Sequence, residues 1–280
     1  MGKQSVIKRI MLILICCFLP ACTLSKSNEG QNMNTDSKNQ DSKNQEPKNQ
    51  EPAGIIFKGN SGGSKPLEGT PYSYEIWSAS GNNNRIIWRG PDTGGGAAFR
   101  AEWNNADTFL GRVGLYWNRG KPYTDYKNVF FDFEFTKSVN GTAGGHSYLG
   151  IYGWSKNPMI EWYIVDDWYG NGIIQPNNIG GGAVKKGEFS VDGATYYIYQ
   201  ATRPAGSGNI EGSKNPFPQY FSIRQERRQK GTISITEHFK AWEKIGLKLG
   251  TNMYEAKFLV EAGGGTGWFD ASYISFYQKD

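Results

Sequence analysis

Residues 157–168 read NPMIEWYIVDDW. Met159 to Val165 is dense in β-branched and aromatic residues, the composition of a β-strand. Glu161 stands in its middle. A carboxylate in so apolar a run must be desolvated, paired or exposed. Period-two alternation places Glu161 and Tyr163 on one face and Ile160, Trp162 and Ile164 on the other. The stretch therefore reads as a strand with one apolar face and one face that carries a carboxylate.

Outward from it, about residues 54–280 continue strand after strand. NRIIW, NVFFDFEF, SYLGIYGW, TYYIYQ, YFSIRQ, EAKFLVEA and SYISFYQ are separated by clusters of Gly, Asn, Asp and Pro. Asp192-Gly193 between EFSV and ATYYIY is a hairpin signal. The spacing predicts an all-β domain of two stacked, mostly antiparallel sheets, a sandwich or jelly roll. SITEHFKAWEKIGLKLG breaks the pattern. Ser234 and Glu237 fit a capping box. Phe239, Trp242 and Ile245 recur at helical spacing, and Gly246 suits a C-terminal cap. One docked helix is predicted, about 235–245, with His238 as a structural residue inside it.

The other end of the chain is different in kind. MGKQSVIKRIMLILICCFLPAC has a basic start and an apolar run from Ile10 to Leu19. That length suits a signal peptide rather than a membrane-spanning helix. Its end, LPAC, resembles a bacterial lipobox. The resemblance implies acylation of Cys22, with a lipid anchor to a membrane in the cell envelope, facing outside the cytoplasm. A plain signal peptide is the alternative. Residues 23–53 include the repeat DSKNQ DSKNQ EPKNQ EP, polar and free of aromatic residues, which cannot bury a core. It reads as a tether.

Composition narrows the chemistry. All nine Trp follow residue 76, and the chain holds 37 Gly. The three Cys are Cys16, Cys17 and Cys22. A processed domain thus has no disulfide, thiol nucleophile or Cys metal site. Only His146 and His238 are present, which excludes a His-rich metal site. The formal charge of +5 includes Lys3, Lys8 and Arg9 of the signal segment, and removing these three leaves +2. No basic run points to nucleic acid. No metal or cofactor is implied, and the expectation is a monomer.

Glu161 has a counterpart in Glu261, at the end of EAKFLVEA. Two carboxylates on neighbouring strands of a concave sheet suit retaining glycoside hydrolysis. One must be ionised to attack, the other protonated to assist the leaving oxygen. Apolar walls and like-charge proximity separate their proton affinities.

The residues around Glu161 carry a more specific message. YLGIYGWSKNPMIEWYIVDDW closely resembles the nucleophile strand of family 11 glycoside hydrolases, the jelly-roll xylanases. YEIW, KKGEFSVDGATYYIYQATR, QYFSIRQERRQKGTISITEHFKAWEKIGLKLG and MYEAKFLVEA agree in order, over about residues 70–277. The resemblance implies endo-cleavage of β-1,4-xylan with retention, Glu161 as nucleophile and Glu261 as acid/base. It implies substrate or carboxylate contacts for Tyr152, Tyr163 and Trp154, and a stacking role for Trp77. Arg203 is implied near the nucleophile, and Gln219 as the residue that orients it. A β-1,4-glucan-cleaving enzyme, or a xylan-binding protein that has lost catalysis, is the alternative.

Three departures stand out. Where the family has Asn or Asp beside the acid/base, the strand EWNNADTFLG aligns Thr108, which implies a neutral to mildly acidic optimum. The thumb hairpin, residues 203–212, reads RPAGSGNIEG. After Glu261 a cleft Tyr is missing or replaced by Trp268.

Overall fold

A computed structural model describes residues 53–280 apart from 60–62, 81–82, 118–119, 139–145, 171–178 and 180–181. The signal segment, Cys22 and the whole of the repeat lie outside the described residues.

The strands in chain order are β1 (Ile55–Lys58), β2 (Lys65–Pro66), β3 (Tyr72–Ser78), β4 (Arg85–Trp88), β5 (Phe99–Ala106), β6 (Phe109–Tyr116), β7 (Asn128–Lys137), β8 (Ser147–Lys156), β9 (Ile160–Asp167), β10 (Val184–Val191), β11 (Ala194–Arg203), β12 (Phe217–Arg224) and β13 (Lys230–Ser234). The helix α1 (Ile235–Lys244) follows, then β14 (Asn252–Ala262) and β15 (Gly265–Lys279). They form two sheets, ordered β1-β4-β5-β15-β7-β13 and β10-β11-β12-β9-β8-β14-β6-β3-β2. Neighbours are antiparallel except β12 and β9, which run parallel. This is the expected jelly roll with one helix.

The larger sheet has an apolar layer on each face. Ile160, Trp162 and Ile164 of β9 join the main core between the sheets, with Phe131, Phe133 and Phe258. Tyr163 joins a second cluster with Tyr148, Tyr152, Trp154 and Phe221. The alternation read from β9 is thus the alternation observed. Two aromatic layers leave β9 buried along its whole length, which is why its composition is apolar on both faces. The hairpin at Asp192-Gly193 forms as expected, with φ of 51° and 74° and Val191 opposite Ala194.

Helix α1 packs Phe239 and Trp242 against Trp162, at ring-centroid distances of 4.9 and 6.3 Å. Trp242 also donates its indole N–H to Ser222 Oγ at 2.9 Å. The helix closes through Gly246 and Leu247, whose N–H groups donate to Glu243 and Trp242 carbonyls. Two details differ from expectation. The capping box does not form: Ser234 donates its hydroxyl to Asp192 Oδ1 instead, and Glu237 pairs with Lys240. A tertiary carboxylate has outcompeted the local cap. Ile245 falls just beyond the last helical turn and is 41% exposed.

EWNNADTFLG is also not one strand. It ends β5 and begins β6, which belong to different sheets. The chain turns at Asp107 and Thr108, after Asn105 at φ 52°. The turn is held by Asp107 N–H on Ser80 Oγ and Ala79 N–H on the Thr108 carbonyl.

Candidate active site

Glu161 lies on β9 opposite Trp154 of β8, and beside Gln219 of the parallel β12. It is only 7% exposed. Tyr152 and Tyr163 donate their hydroxyls to its Oε1 at 2.8 and 2.9 Å. Gln219 donates Nε2 to Oε2 at 2.5 Å. Trp154 in turn donates its indole N–H to the Tyr152 hydroxyl. Burial pushes the Glu161 carboxyl up from its usual range, while these three donors pull it back. The charge of Glu261 also pushes it up, so the two carboxylates share one electrostatic site.

Glu261 sits on β14, the other neighbour of β8, opposite Tyr148. Its side chain partner is His146, with Nε2 at 3.1 Å from Oε1. Burial, together with the charges of Glu161 and Glu261, holds the phenols of Tyr148 and Tyr163 protonated.

Five of the aligned residues, Tyr152, Trp154, Tyr163, Gln219 and Glu161, therefore converge in one hydrogen-bonded group. Trp77 stands further along the same concave face, 43% exposed, on a cleft of about 500 Å³ shared with Glu161, Tyr152 and Trp154. Gly208, Asn209 and Ile210 of the thumb close the opposite wall of that cleft. Arg203 makes no hydrogen bond or ion pair with Glu161 among the described residues. Its charge is felt by His146 and Tyr148, on the Glu261 side.

Thr108 is not the hydrogen-bond partner of Glu261. The β6 residue opposite Glu261 is Leu110, and Thr108 lies in the turn before that strand. Trp268 is not in the cleft either. It stands on β15 of the other sheet, paired with Glu102 of β5, and stacks with Arg100 at 4.8 Å. Phe221 stacks on Tyr163, with centroids 4.6 Å apart.

Two features escaped the sequence reading. One is His146. It directly precedes β8 and shares the alternation of Tyr148, Tyr152 and Trp154, the signal that places it on the cleft face. The other is a buried charge network on the cleft floor. Arg112 pairs with Glu75 at 2.6 Å and Glu255 at 3.3 Å, and lies 4.4 Å over the Tyr152 ring. Lys257 pairs with Glu255 at 2.8 Å. The alternation of Glu255 and Lys257 along β14 is its trace in the sequence. Among the described residues, no cluster of His, Cys, Asp or Glu is arranged to hold a metal ion.

A two-sheet β-sandwich whose concave face carries paired carboxylates among aromatic rings has the jelly-roll architecture used by glycoside hydrolases. Within that class the chain belongs to glycosyl hydrolases family 11, whose model matches residues 70–272. It is 43% identical over 222 residues to endo-1,4-beta-xylanase C of Fibrobacter succinogenes, covering 79% of this chain and 34% of that protein. It is 41% identical to endo-1,4-beta-xylanase S20 of Neocallimastix patriciarum, covering 73% and 57%. The chain thus spans about a third of the first relative and just over half of the second. The crystal structure of a mutant ENZbleach xylanase superposes with a TM-score of 0.78 at 50% identity, covering 83% of this chain and 89% of that one.

Proposed function

We propose that this protein is an endo-1,4-β-xylanase that cleaves xylan by double displacement with retention. The observation that carries the reading is Glu161: a buried carboxylate on a cleft, held by three neutral donors and coupled to a second carboxylate. Glu161 Oε attacks the anomeric carbon while Glu261 gives its proton to the departing glycosidic oxygen. A covalent xylosyl ester and an ionised Glu261 result. Glu261 then takes a proton from water as the water oxygen displaces Glu161. Trp77 offers a ring face to a distal sugar. The family and its named xylanase relatives support xylan as substrate. We also propose that the domain is carried by lipid on Cys22 and the polar repeat, outside the cytoplasm. Among the described residues no helix is long and apolar enough to cross a membrane.

The decisive experiment is Glu161→Gln assayed on soluble xylan, with carboxymethyl cellulose as the competing substrate. We expect a normal fold and a loss of kcat/KM of at least about 10⁴-fold on xylan. Wild-type turnover in that variant would overturn the assignment, and a wild-type preference for the cellulose derivative would overturn the substrate.

A further inference from the structure

The mechanism above uses neither histidine. His238 is closed in the core, but His146 reaches Glu261 with Nε2 at 3.1 Å from Oε1. Its seat is built by the strand end. A Cβ on Gly263 would lie 2.3 Å from His146 Nδ1, so the ring passes where only glycine leaves room. Gly263 N–H donates to the His146 carbonyl at 2.8 Å. The Tyr148 ring flanks the imidazole at 5.5 Å between centroids.

The two oxygens of Glu261 are thereby made unlike. Oε1 is engaged by the imidazole. Oε2 is buried and has no hydrogen-bond partner among the described residues. Buried carboxyl oxygens are seldom left so. We infer that His146 is a positioning residue for the acid/base: it holds Glu261 by Oε1 and leaves Oε2 to carry the proton to the glycosidic oxygen. The inference rests on the reading of Glu261 as acid/base.

The cycle fits that geometry. In the first step the Oε2–H bond breaks, the proton goes to the leaving oxygen, and charge appears on Glu261. An Nε2–H bond to Oε1 strengthens at that moment, because its acceptor becomes ionised. In the second step a proton from water returns to Oε2 and the bond relaxes. His146 loses no proton over the whole cycle.

His146 also brings a titratable group. It faces Glu261 from β14, Tyr148 from β8 and Arg203 from β11. The bond to Glu261 raises the imidazole's hold on its proton, and burial and Arg203 oppose it. Glu261 is also faced by Glu161 from β9 and by the Tyr148 and Tyr163 phenols.

The test compares full-length wild type, His146→Ala, His146→Leu, His146→Gln and Glu261→Gln on soluble xylan. His146→Ala should lower kcat about tenfold with KM within about twofold, as expected for a misaligned proton donor. Gln is a neutral donor of similar reach. It should recover most of kcat, again with KM within about twofold. Wild-type kcat in His146→Ala would overturn the proposal. So would a loss that Gln does not repair, since that marks a scaffold role. If the Ala variant does not fold, His146→Leu, which fills the seat and donates nothing, is read in its place with the same two outcomes. Full activity in Glu261→Gln would instead refute the acid/base assignment itself.

Discussion

Glu161 and Asp166 stand on the same strand, both buried, and are held in opposite ways. Asp166 meets a cation, Arg228 at 2.6 Å, and the Tyr196 hydroxyl at 2.7 Å. Its neighbour Asp167 pairs with Lys137 at 2.7 Å. Glu161 has three neutral donors and no salt bridge among the described residues. A buried ion pair is spent on structure, whereas a carboxylate held by neutral donors stays available to a carbon centre. His238 is a second case where burial decides the chemistry. It is fully buried, edge-on to the rings of Phe189 and Tyr196, and both ring nitrogens lack a partner among the described residues. Burial, with Arg228 and Arg224 nearby, holds its proton affinity well below the usual 6.5. The unfolded chain protonates this histidine below about pH 6.5 and the folded chain does not. Its contribution is therefore constant above that pH and turns against the fold as pH drops, by up to about 1.4 kcal/mol per pH unit. His238→Leu should melt within a few degrees of wild type at pH 8 and gain relative to it at pH 5. Parallel melting curves at both pH values, with a constant difference, would contradict this.

At the scale of elements, the thumb shows how a loop is shaped without a core. Gly206 and Gly208 suggest a mobile tip, but Asn209 ties it. Its Nδ2 donates to the Ser213 carbonyl at 2.7 Å, and its Oδ1 accepts from Glu211 N–H at 3.0 Å and Ser213 N–H at 3.2 Å. This side chain replaces backbone pairing that the turn cannot make. Because the loop lines the cleft, its order bears on substrate rather than on the fold. Asn209→Ala should raise KM for xylan several-fold while changing stability by less than about 1 kcal/mol. An unchanged KM would mean the tip is held by other contacts. The break between β5 and β6 has the opposite lesson. Its residues read as a continuous strand, and the turn is imposed by Ser80 and Ala79 from another part of the chain.

At the scale of the whole molecule, the proposed anchor and tether set where the catalytic domain works. Cys22→Ser should release the protein from the membrane fraction or block removal of the signal segment, while xylanase activity of the domain is retained. Fractionation and the mass of the mature N-terminus check this. A wild-type N-terminus that lies beyond Cys22 and carries no lipid would refute the anchor. The sandwich itself was legible because strand alternation and turn residues are local, and NPMIEWYIVDDW carries both. The helix was legible through Phe239 and Trp242, which repeat at its period, and through Gly246 at its end, though its N-terminal cap was not.

What the sequence determined by itself was which residues face together: Glu161 with Tyr163 on one side of β9, and Ile160 with Trp162 and Ile164 on the other. Alternation is a property of the backbone and needs no partner. The family resemblance added which of them meet. Only the tertiary structure decided how they meet. Glu161 and Glu261 oppose Trp154 and Tyr148 of β8, six residues apart, which on a flat sheet is roughly 20 Å along the strand. The larger sheet must curl for their charges to be felt across the cleft, and that curl belongs to two stacked sheets and their cores. The same holds for His146, Arg112 and Thr108. A register between strands distant in sequence decides who touches Glu261: β6 sets Leu110 opposite it, and β8 sets Tyr148 there with His146 two residues away.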